Sequence, residues 1–155
     1  MLVIGSKAPS IILKDENGKE ISLSDYEGSY LVLYTYPKDN TPGCTTEACS
    51  FRDNSEAIIK ANGVIVGVSG DSVESHQKFK DKHSLNFTLL ADPEHKLLKE
   101  LGSWGEKVSF GQKRMGIIRR TYVFDKTGHL IKVWPKVTPK DHGEEIAAFL
   151  LEQQI

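Results

Sequence analysis

The chain has 155 residues, of which 39% are hydrophobic and 26% charged, proportions typical of a folded globular protein. Its 20 basic and 21 acidic side chains give a formal net charge of −1, which leaves no broad positive field to recruit nucleic acid or an anionic membrane. Residues 1–5 lack the basic leader of a signal peptide, and no apolar stretch approaches the ~20 residues that cross a bilayer, so we expect a cytoplasmic protein without nucleic-acid or membrane partners.

Strand-like and helix-like segments alternate along the first half of the chain. Two short strands are expected on either side of a turn at Asn17-Gly18. Residues 30–36 form a nearly continuous apolar and β-branched run, which predicts a buried central strand. A loop rich in proline, glycine, aspartate and asparagine follows at 37–43, and a helix is predicted at about 45–61.

The second half continues the alternation. The predicted elements are a strand at 64–69, a helix at 73–83, a strand at 87–90, a helix at 93–101, a polar loop at 102–116, a hairpin of strands at 120–124 and 129–134, and an amphipathic helix at 141–153. This order predicts one α/β domain over 1–155, with a parallel core and an antiparallel hairpin at one end of its sheet. Ligand sites in such folds lie at the carboxyl ends of parallel strands, so the loop at 37–43 is the expected site.

Cys44 and Cys49 are the two cysteines of the chain. In a reducing compartment such a pair is catalytic, redox-active or metal-binding more often than structural. Thiols react as thiolates, and an ordinary cysteine has a pKa near ~8.5, so a reactive thiol needs activation. Cys44 follows Pro42-Gly43 where a helix begins, and free N–H groups and the helix dipole favour negative charge there. Arg119 or Arg120 could reach the same place from a neighbouring strand. A buried, inert thiol is the alternative interpretation.

Cys49 lies five residues after Cys44. On a regular helix the two would be rotated by ~140° and their Cα atoms separated by roughly 8–9 Å, whereas a disulfide requires about 7 Å or less. A bridge therefore forms only if the first turn of the helix unwinds, which suggests a reduced, wound state and an oxidised, unwound state. The alternative for Cys49 is a cysteine that simply packs in the core.

Other uses of the cysteines and histidines have less support. Zinc sites usually need four ligands with matching spacings, and here the five histidines are scattered and each is interpreted as a surface residue: His76, His83, His95, His129 and His142. We therefore expect no metal. The sequence also lacks a Cys-x-x-Cys dithiol and the Gly-x-Ser-x-Gly elbow of a serine hydrolase.

The residues around Cys44 resemble a known family. Pro37, Thr41 and Cys44 fit the peroxiredoxin signature Pro-x-x-x-Thr-x-x-Cys, and the run 36–53 closely resembles the peroxiredoxin Q, or bacterioferritin comigratory protein, subfamily. Further matching blocks extend the resemblance over most of the chain: Gly67-Val68-Ser69, Asp71-Ser72-Val73, Leu89-Leu90-Ala91-Asp92, Trp104-Gly105-Glu106-Lys107 and Met115-Gly116-Ile117 with Arg119.

The resemblance implies a thioredoxin-like fold, with a central mixed β-sheet flanked by helices and an N-terminal β-hairpin extension. It also assigns the expected site residues: Cys44 as peroxidatic cysteine, Cys49 as resolving cysteine, Thr41 as peroxide-binding residue, Pro37 as shield and Arg119 as the active-site arginine. Arg119 and Arg120 should point to opposite faces of a strand, and spacing from Met115-Gly116-Ile117 favours Arg119.

Glu47 is three residues after Cys44 and so on the same helical face. It could hold the arginine in place, or it could be a solvated carboxylate on the helix surface.

The expected activity is reduction of hydrogen peroxide and alkyl hydroperoxides through a Cys44 sulfenic acid and a Cys44–Cys49 disulfide. By resemblance, thioredoxin or a similar dithiol returns both cysteines to thiols, and no cofactor is required. The resemblance favours a monomer, with a weak dimer left open. Two alternatives remain: a peroxide-sensing regulatory module that uses the same disulfide, and a non-catalytic binding module.

Overall fold

The computed structural model describes residues 1–154. Nine strands are present in that range: Ile12–Lys14 (β1), Glu20–Ser22 (β2), Tyr30–Thr35 (β3), Gly63–Ser69 (β4), Thr88–Ala91 (β5), Trp104–Ser109 (β6), Gln112–Ile117 (β7), Arg120–Phe124 (β8) and Leu130–Trp134 (β9). The described α-helices are Pro42–Asp53 (α1), Ser55–Lys60 (α2), Val73–His83 (α3), Lys96–Leu101 (α4) and His142–Glu152 (α5). Short 3-10 turns lie at Leu23–Tyr26 and Pro139–Asp141.

Seven strands form one mixed sheet in the order β2-β1-β5-β4-β3-β8-β9. β3 runs parallel to β4, and β4 runs parallel to β5, while β8 and β9 add to the other side of β3 as an antiparallel pair. The N-terminal hairpin of β1 and β2 joins the far edge, where Lys14 pairs with Ala91. The predicted central mixed sheet with an N-terminal hairpin is confirmed.

The central strand separates two apolar layers because its successive side chains point to opposite faces. Val32 and Tyr34 pack in the layer that also contains buried residues of α1, α2, α3 and α5. Leu31 and Leu33 pack in the other layer, which contains the leucines of α4. A strand buried on both faces reads as a continuous apolar run, which is why β3 was predictable. None of the described helices has the length and apolar character to cross a membrane.

Two predicted helices have different bounds in the structure. The helix predicted at 45–61 begins at Pro42 and is divided at Asn54, whose backbone (φ −105°, ψ 8°) leaves the helical region. Pro42 suits a first turn, where its missing N–H costs no hydrogen bond. The helix predicted at 93–101 begins only at Lys96, after His95 in a left-handed conformation, and the Asp92 carboxylate accepts hydrogen bonds from the backbone N–H of Lys96 and Leu98.

The prediction of a loop at 102–116 is wrong. β6 and β7 form a separate two-stranded antiparallel sheet, in register from Trp104–Ile117 to Ser109–Gln112. Phe110 and Gly111 connect them with φ angles of 52° and 76°, as two-residue hairpin turns require.

Candidate active site

The loop at 36–41 delivers the chain from the carboxyl end of β3 to the start of α1. Thr41 is the N-cap of the helix, with extended backbone angles of φ −94° and ψ 156°. The N–H of Thr45 donates to Thr41 O at 2.8 Å, so the N–H groups of Gly43 and Cys44 precede the first intrahelical bond. Cys44 is therefore in the first turn, where the helix dipole and free N–H groups favour an anion, and it is only 2% exposed.

Arg119 supplies a fixed positive charge beside this cysteine. Its Nη2 lies 3.2 Å from Cys44 Sγ and donates a hydrogen bond to it. The close approach depends on Gly43, because a Cβ at that position would lie 3.2 Å from the same Nη2. Arg119 lies between β7 and β8 and its side chain is mostly buried, so the guanidinium is held against the sulfur with little surrounding water.

Glu47 holds the other side of the Arg119 guanidinium. Its Oε1 accepts a hydrogen bond from Arg119 Nη1 at 2.5 Å, and its side chain is completely buried. Burial raises the pKa of Glu47 from 4.5 to about 7, against the opposing effect of the neighbouring Arg119. Its Oε2 has no hydrogen-bond partner among the described residues. Glu47 is thus not a solvated carboxylate on the helix surface.

Arg120 points elsewhere. Its Nη1 contacts Gly102 O and its Nε lies 3.4 Å from Pro135 O. The structure thus brings Arg119, and not Arg120, to Cys44.

Thr41 and Pro37 lie in the loop that precedes Cys44. The Thr41 hydroxyl does not cap the helix; it donates to Lys38 O at 2.8 Å. Pro37 is half-buried and directly follows Tyr36, a completely buried residue.

Cys49 shares α1 with Cys44, and both are free thiols. Cys44 is buried and Cys49 is half-buried. Because both lie in one continuous helix, their Cα atoms are separated by roughly 8–9 Å, too far for a bridge.

The interpretation of every histidine as a surface residue is wrong for His76 and His142, both of which are fully buried. His76 contacts Asp39, a residue of the loop before Cys44, with 2.7 Å between Nδ1 and Oδ2. Sequence reasoning missed Asp39 and His76. The one available signal was the spacing of His76 and Phe79 on a single face of α3.

Comparisons with known proteins identify the family of this chain. The family model described as AhpC/TSA family matches residues 4–133. Peroxiredoxin Bcp of Bacillus subtilis is 56% identical over 142 residues, which cover 92% of this chain and 90% of that protein. A putative peroxiredoxin bcp of Coxiella burnetii is 44% identical and covers 95% of this chain and 97% of its own.

Solved structures show the same similarity. A mutant of PrxQ from Xylella fastidiosa superposes with a TM-score of 0.94 at 32% identity, covering 100% of this chain and 99% of that one. The bacterioferritin comigratory protein of Xanthomonas campestris, solved in a study of its alkyl peroxide reduction activity, gives 0.91 at 32% identity with coverage of 100% and 99%. These similarities confirm the thioredoxin-like peroxiredoxin fold. The chain belongs to the AhpC/TSA family and, within it, to the Bcp or peroxiredoxin Q group of peroxiredoxins.

Proposed function

We propose that this thiol peroxidase reduces hydrogen peroxide and alkyl hydroperoxides with Cys44 as its nucleophile and Cys49 as its resolving cysteine. The observation that carries the proposal is the contact between Arg119 Nη2 and the buried Cys44 Sγ, 3.2 Å long, at the first turn of α1. A cation and a helix N-terminus together favour the thiolate, which is the form of cysteine that attacks peroxide. The alkyl peroxide reduction studied for the Xanthomonas campestris relative supports the extension to alkyl hydroperoxides.

In the first step the Cys44 thiolate attacks the terminal oxygen of ROOH. The O–O bond breaks, the sulfur is oxidised to sulfenic acid (Cys–SOH), and the RO⁻ leaving group takes a proton to become an alcohol, or water when R is hydrogen. Arg119 stabilises the negative charge that develops on the leaving oxygen. The Thr41 hydroxyl already donates to Lys38 O, so its oxygen is left to accept a hydrogen bond from the peroxide. Pro37 limits the access of water to the thiolate.

Glu47 is a positioning residue in this proposal. Arg119 uses Nη1 for Glu47 and Nη2 for Cys44, so one guanidinium plane joins the carboxylate to the sulfur. The planar arginine fork fixes its orientation through two donors, which a lysine could not do.

The second step joins the two cysteines. The first turn of α1 unwinds, the Cys49 thiolate attacks the Cys44 sulfenic sulfur, and hydroxide leaves and is protonated to water as the disulfide forms. An external dithiol, thioredoxin or a similar protein, then reduces the bridge by exchange and is itself oxidised to a disulfide. The peroxide is the oxidant and the dithiol is the reductant, so the balance needs no metal, flavin or nucleotide.

We propose further that the enzyme is a single-domain, monomeric protein of the cytoplasm. The seven-stranded sheet unites the N-terminal hairpin with β8 and β9, which supports a single domain over 1–155. Recycling requires a reduced dithiol pool, which favours the cytoplasm. One chain carries both cysteines and can complete the cycle as a monomer. Light scattering at increasing concentration tests this, since a weak dimer would raise the mass.

Rapid-mixing experiments with peroxide test the chemistry. We expect a fast phase in the wild type and none in Cys44→Ser. Cys49→Ser should react fast, accumulate sulfenate that a dimedone-type probe traps, and then overoxidise to sulfinic acid. A fast phase that survives in Cys44→Ser would overturn the assignment. Continuous peroxide consumption with thioredoxin and its reductase separates the enzyme from a sensor, which would react once per chain.

A further inference from the structure

A buried polar cluster lies beside the active-site loop and outside the chemistry described above. We define the cluster as Tyr36, Asp39, Ser75 and His76. Asp39 Oδ1 accepts from the Tyr36 hydroxyl at 2.6 Å, and Asp39 Oδ2 contacts the Ser75 hydroxyl at 2.8 Å and His76 Nδ1 at 2.7 Å. The side chains of Asp39 and His76 are 3% and 0% exposed. Buried polar groups are retained in a core when their hydrogen bonds are complete, as they are here.

His76 joins Asp39 to the backbone of β5. His76 Nε2 lies 2.9 Å from Leu90 O, and because a carbonyl only accepts, Nε2 carries a proton. Asp39 accepts from the Tyr36 hydroxyl on Oδ1 and from the Ser75 hydroxyl on Oδ2. Both ring nitrogens of His76 are thus engaged, Nδ1 by Asp39 Oδ2 and Nε2 by Leu90 O.

A cation site is the competing interpretation of these residues. Ligand-type atoms of Asp39, Asp71 and His76 lie within 4.8 Å of one another. These ligand atoms are already engaged, however: His76 Nδ1 contacts Asp39, His76 Nε2 contacts Leu90 O, and Asp71 Oδ2 accepts from the Asp39 N–H and the Ser69 hydroxyl. The group acts as a hydrogen-bonded anchor.

The anchor fixes the loop at 36–41, which leads into the helix turn that carries Cys44. Asp39 lies five residues before Cys44, and its backbone N–H donates to Asp71 Oδ2 at 2.8 Å. Asp71 Oδ2 also accepts from the Ser69 hydroxyl at 2.7 Å, at the end of β4. Both the main chain and the side chain of Asp39 are thus attached to the rigid frame of β4, β5 and α3. The next residue, Asn40, has a positive φ of 59°, so the chain turns sharply directly after the anchor.

We propose that the Asp39–His76 hydrogen bond, acting through the loop at 36–41, stabilises the wound first turn of α1 over the unwound conformation that forms the disulfide. The inference rests on the proposed function, because it assumes that Cys44 must leave its pocket to reach Cys49. Asp39 and His76 are positioning residues that act on Cys44 through the loop. If unwinding breaks their contact, the pair favours peroxide attack and opposes disulfide formation. Breaking the pair should therefore change the two steps in opposite directions.

The test uses two substitutions that each retain one of the two ring hydrogen bonds. In His76→Gln the side-chain amide nitrogen takes the place of Nε2, so the variant keeps the hydrogen bond to Leu90 O and loses the one to Asp39. In His76→Asn the amide nitrogen takes the place of Nδ1, so the variant keeps the hydrogen bond to Asp39 and loses the one to Leu90 O. A hydrogen bond to a charged group shifts an equilibrium by about 10-fold. Because disulfide formation starts from the unwound conformation, His76→Gln should speed it by up to about 10-fold and require up to about 10-fold more peroxide for overoxidation. Sulfenate formation starts from the wound conformation and should slow, by at most about 10-fold.

His76→Asn should remain within about 3-fold of the wild type in both steps, because it keeps the hydrogen bond to Asp39. Tyr36→Phe removes one donor from Asp39, together with a 3.4 Å contact to His76 Nδ1, and keeps the His76 side chain. It should shift both steps in the same directions as His76→Gln, by less. It keeps the test decisive if a His76 variant does not fold. The inference is overturned if His76→Gln and Tyr36→Phe slow both steps, or if His76→Gln and His76→Asn behave alike. A wild type that forms no Cys44–Cys49 disulfide would instead overturn the proposed function.

Discussion

Cys44 and Cys49 lie on one continuous α-helix but on different sides of it. Five residues of helix rotate the second side chain by ~140° from the first, and the burial agrees: Cys44 is in the core and Cys49 is half-buried. Cys44 shares the inner face of α1 with Glu47, Ala48 and Phe51. The structure is therefore suited to binding peroxide at Cys44, and the same helix keeps the resolving thiol away.

Disulfide formation should therefore unwind the start of α1. Hydrogen exchange of the oxidised protein should be at least about 10-fold faster at the amides of residues 45–49, because unwinding exposes N–H groups that the reduced helix protects. Mass spectrometry of oxidised and reduced protein measures this, with α4 on the other face of the sheet as the internal reference. Full protection of α1 in a protein with the bridge formed would contradict the geometric argument.

Replacement of Arg119 should slow the peroxide step strongly. Arg119→Met removes the donor 3.2 Å from Cys44 Sγ and leaves a side chain of similar length. Loss of one preorganised donor at a developing negative charge costs about 10²–10³ in rate, so kcat/KM for peroxide should fall by about that factor. Arg119→Lys should recover only part of the loss, because an ammonium cannot contact Cys44 and Glu47 through one planar fork.

Arg120→Met is the matched control for this arginine. Arg120 contacts Gly102 O and Pro135 O, so its loss should change kcat/KM by less than about 3-fold. Equal losses from the two substitutions would contradict the assignment of Arg119.

Thr41 should contribute through its hydroxyl rather than its shape. Thr41→Val keeps the branched side chain and removes the oxygen, and should slow sulfenate formation by about 10-fold or more. Thr41→Ser keeps the hydroxyl and should remain close to the wild type. The control is Thr46→Val, which removes an exposed hydroxyl that donates to Pro42 O at 3.0 Å and should leave the peroxide step unchanged. Sulfenate formation measured by rapid mixing separates these results, and a Thr41→Val rate equal to the wild type would remove Thr41 from the mechanism.

The active-site loop could be predicted because its residues are consecutive. Pro42 and Gly43 mark the helix start, and the i, i+3 spacing places Glu47 on the face of Cys44. The Asp39–His76 contact joins residues 37 apart in sequence, and no local pattern connects them. α3 contains few apolar side chains, so the spacing of His76 and Phe79 is a weak sign of its buried face and does not point to Asp39.

The hairpin of β6 and β7 was missed for a different reason. Its strands carry charged side chains at adjacent positions, as in Glu106-Lys107 and Lys113-Arg114, so apolar and polar residues do not alternate. A strand signal depends on one face being buried, and this two-stranded sheet stands apart from the seven-stranded one.

The buried Glu47 should make the folded state less stable as pH rises. Its pKa is about 7 in the folded protein against 4.5 for a free carboxyl, so between these values the folded state holds a proton that the unfolded state has lost. The free energy of unfolding therefore falls as pH increases through this window, by about 3 kcal/mol in total.

Glu47→Gln removes the titration, so the stability of the wild type relative to this variant should fall by that amount from pH 4 to pH 8. Denaturant unfolding of the reduced proteins measures the difference. Glu56→Gln, at a side chain 86% exposed, should show no such trend. Parallel pH profiles for the wild type and Glu47→Gln would mean that Glu47 enters the fold already ionised, fully compensated by Arg119.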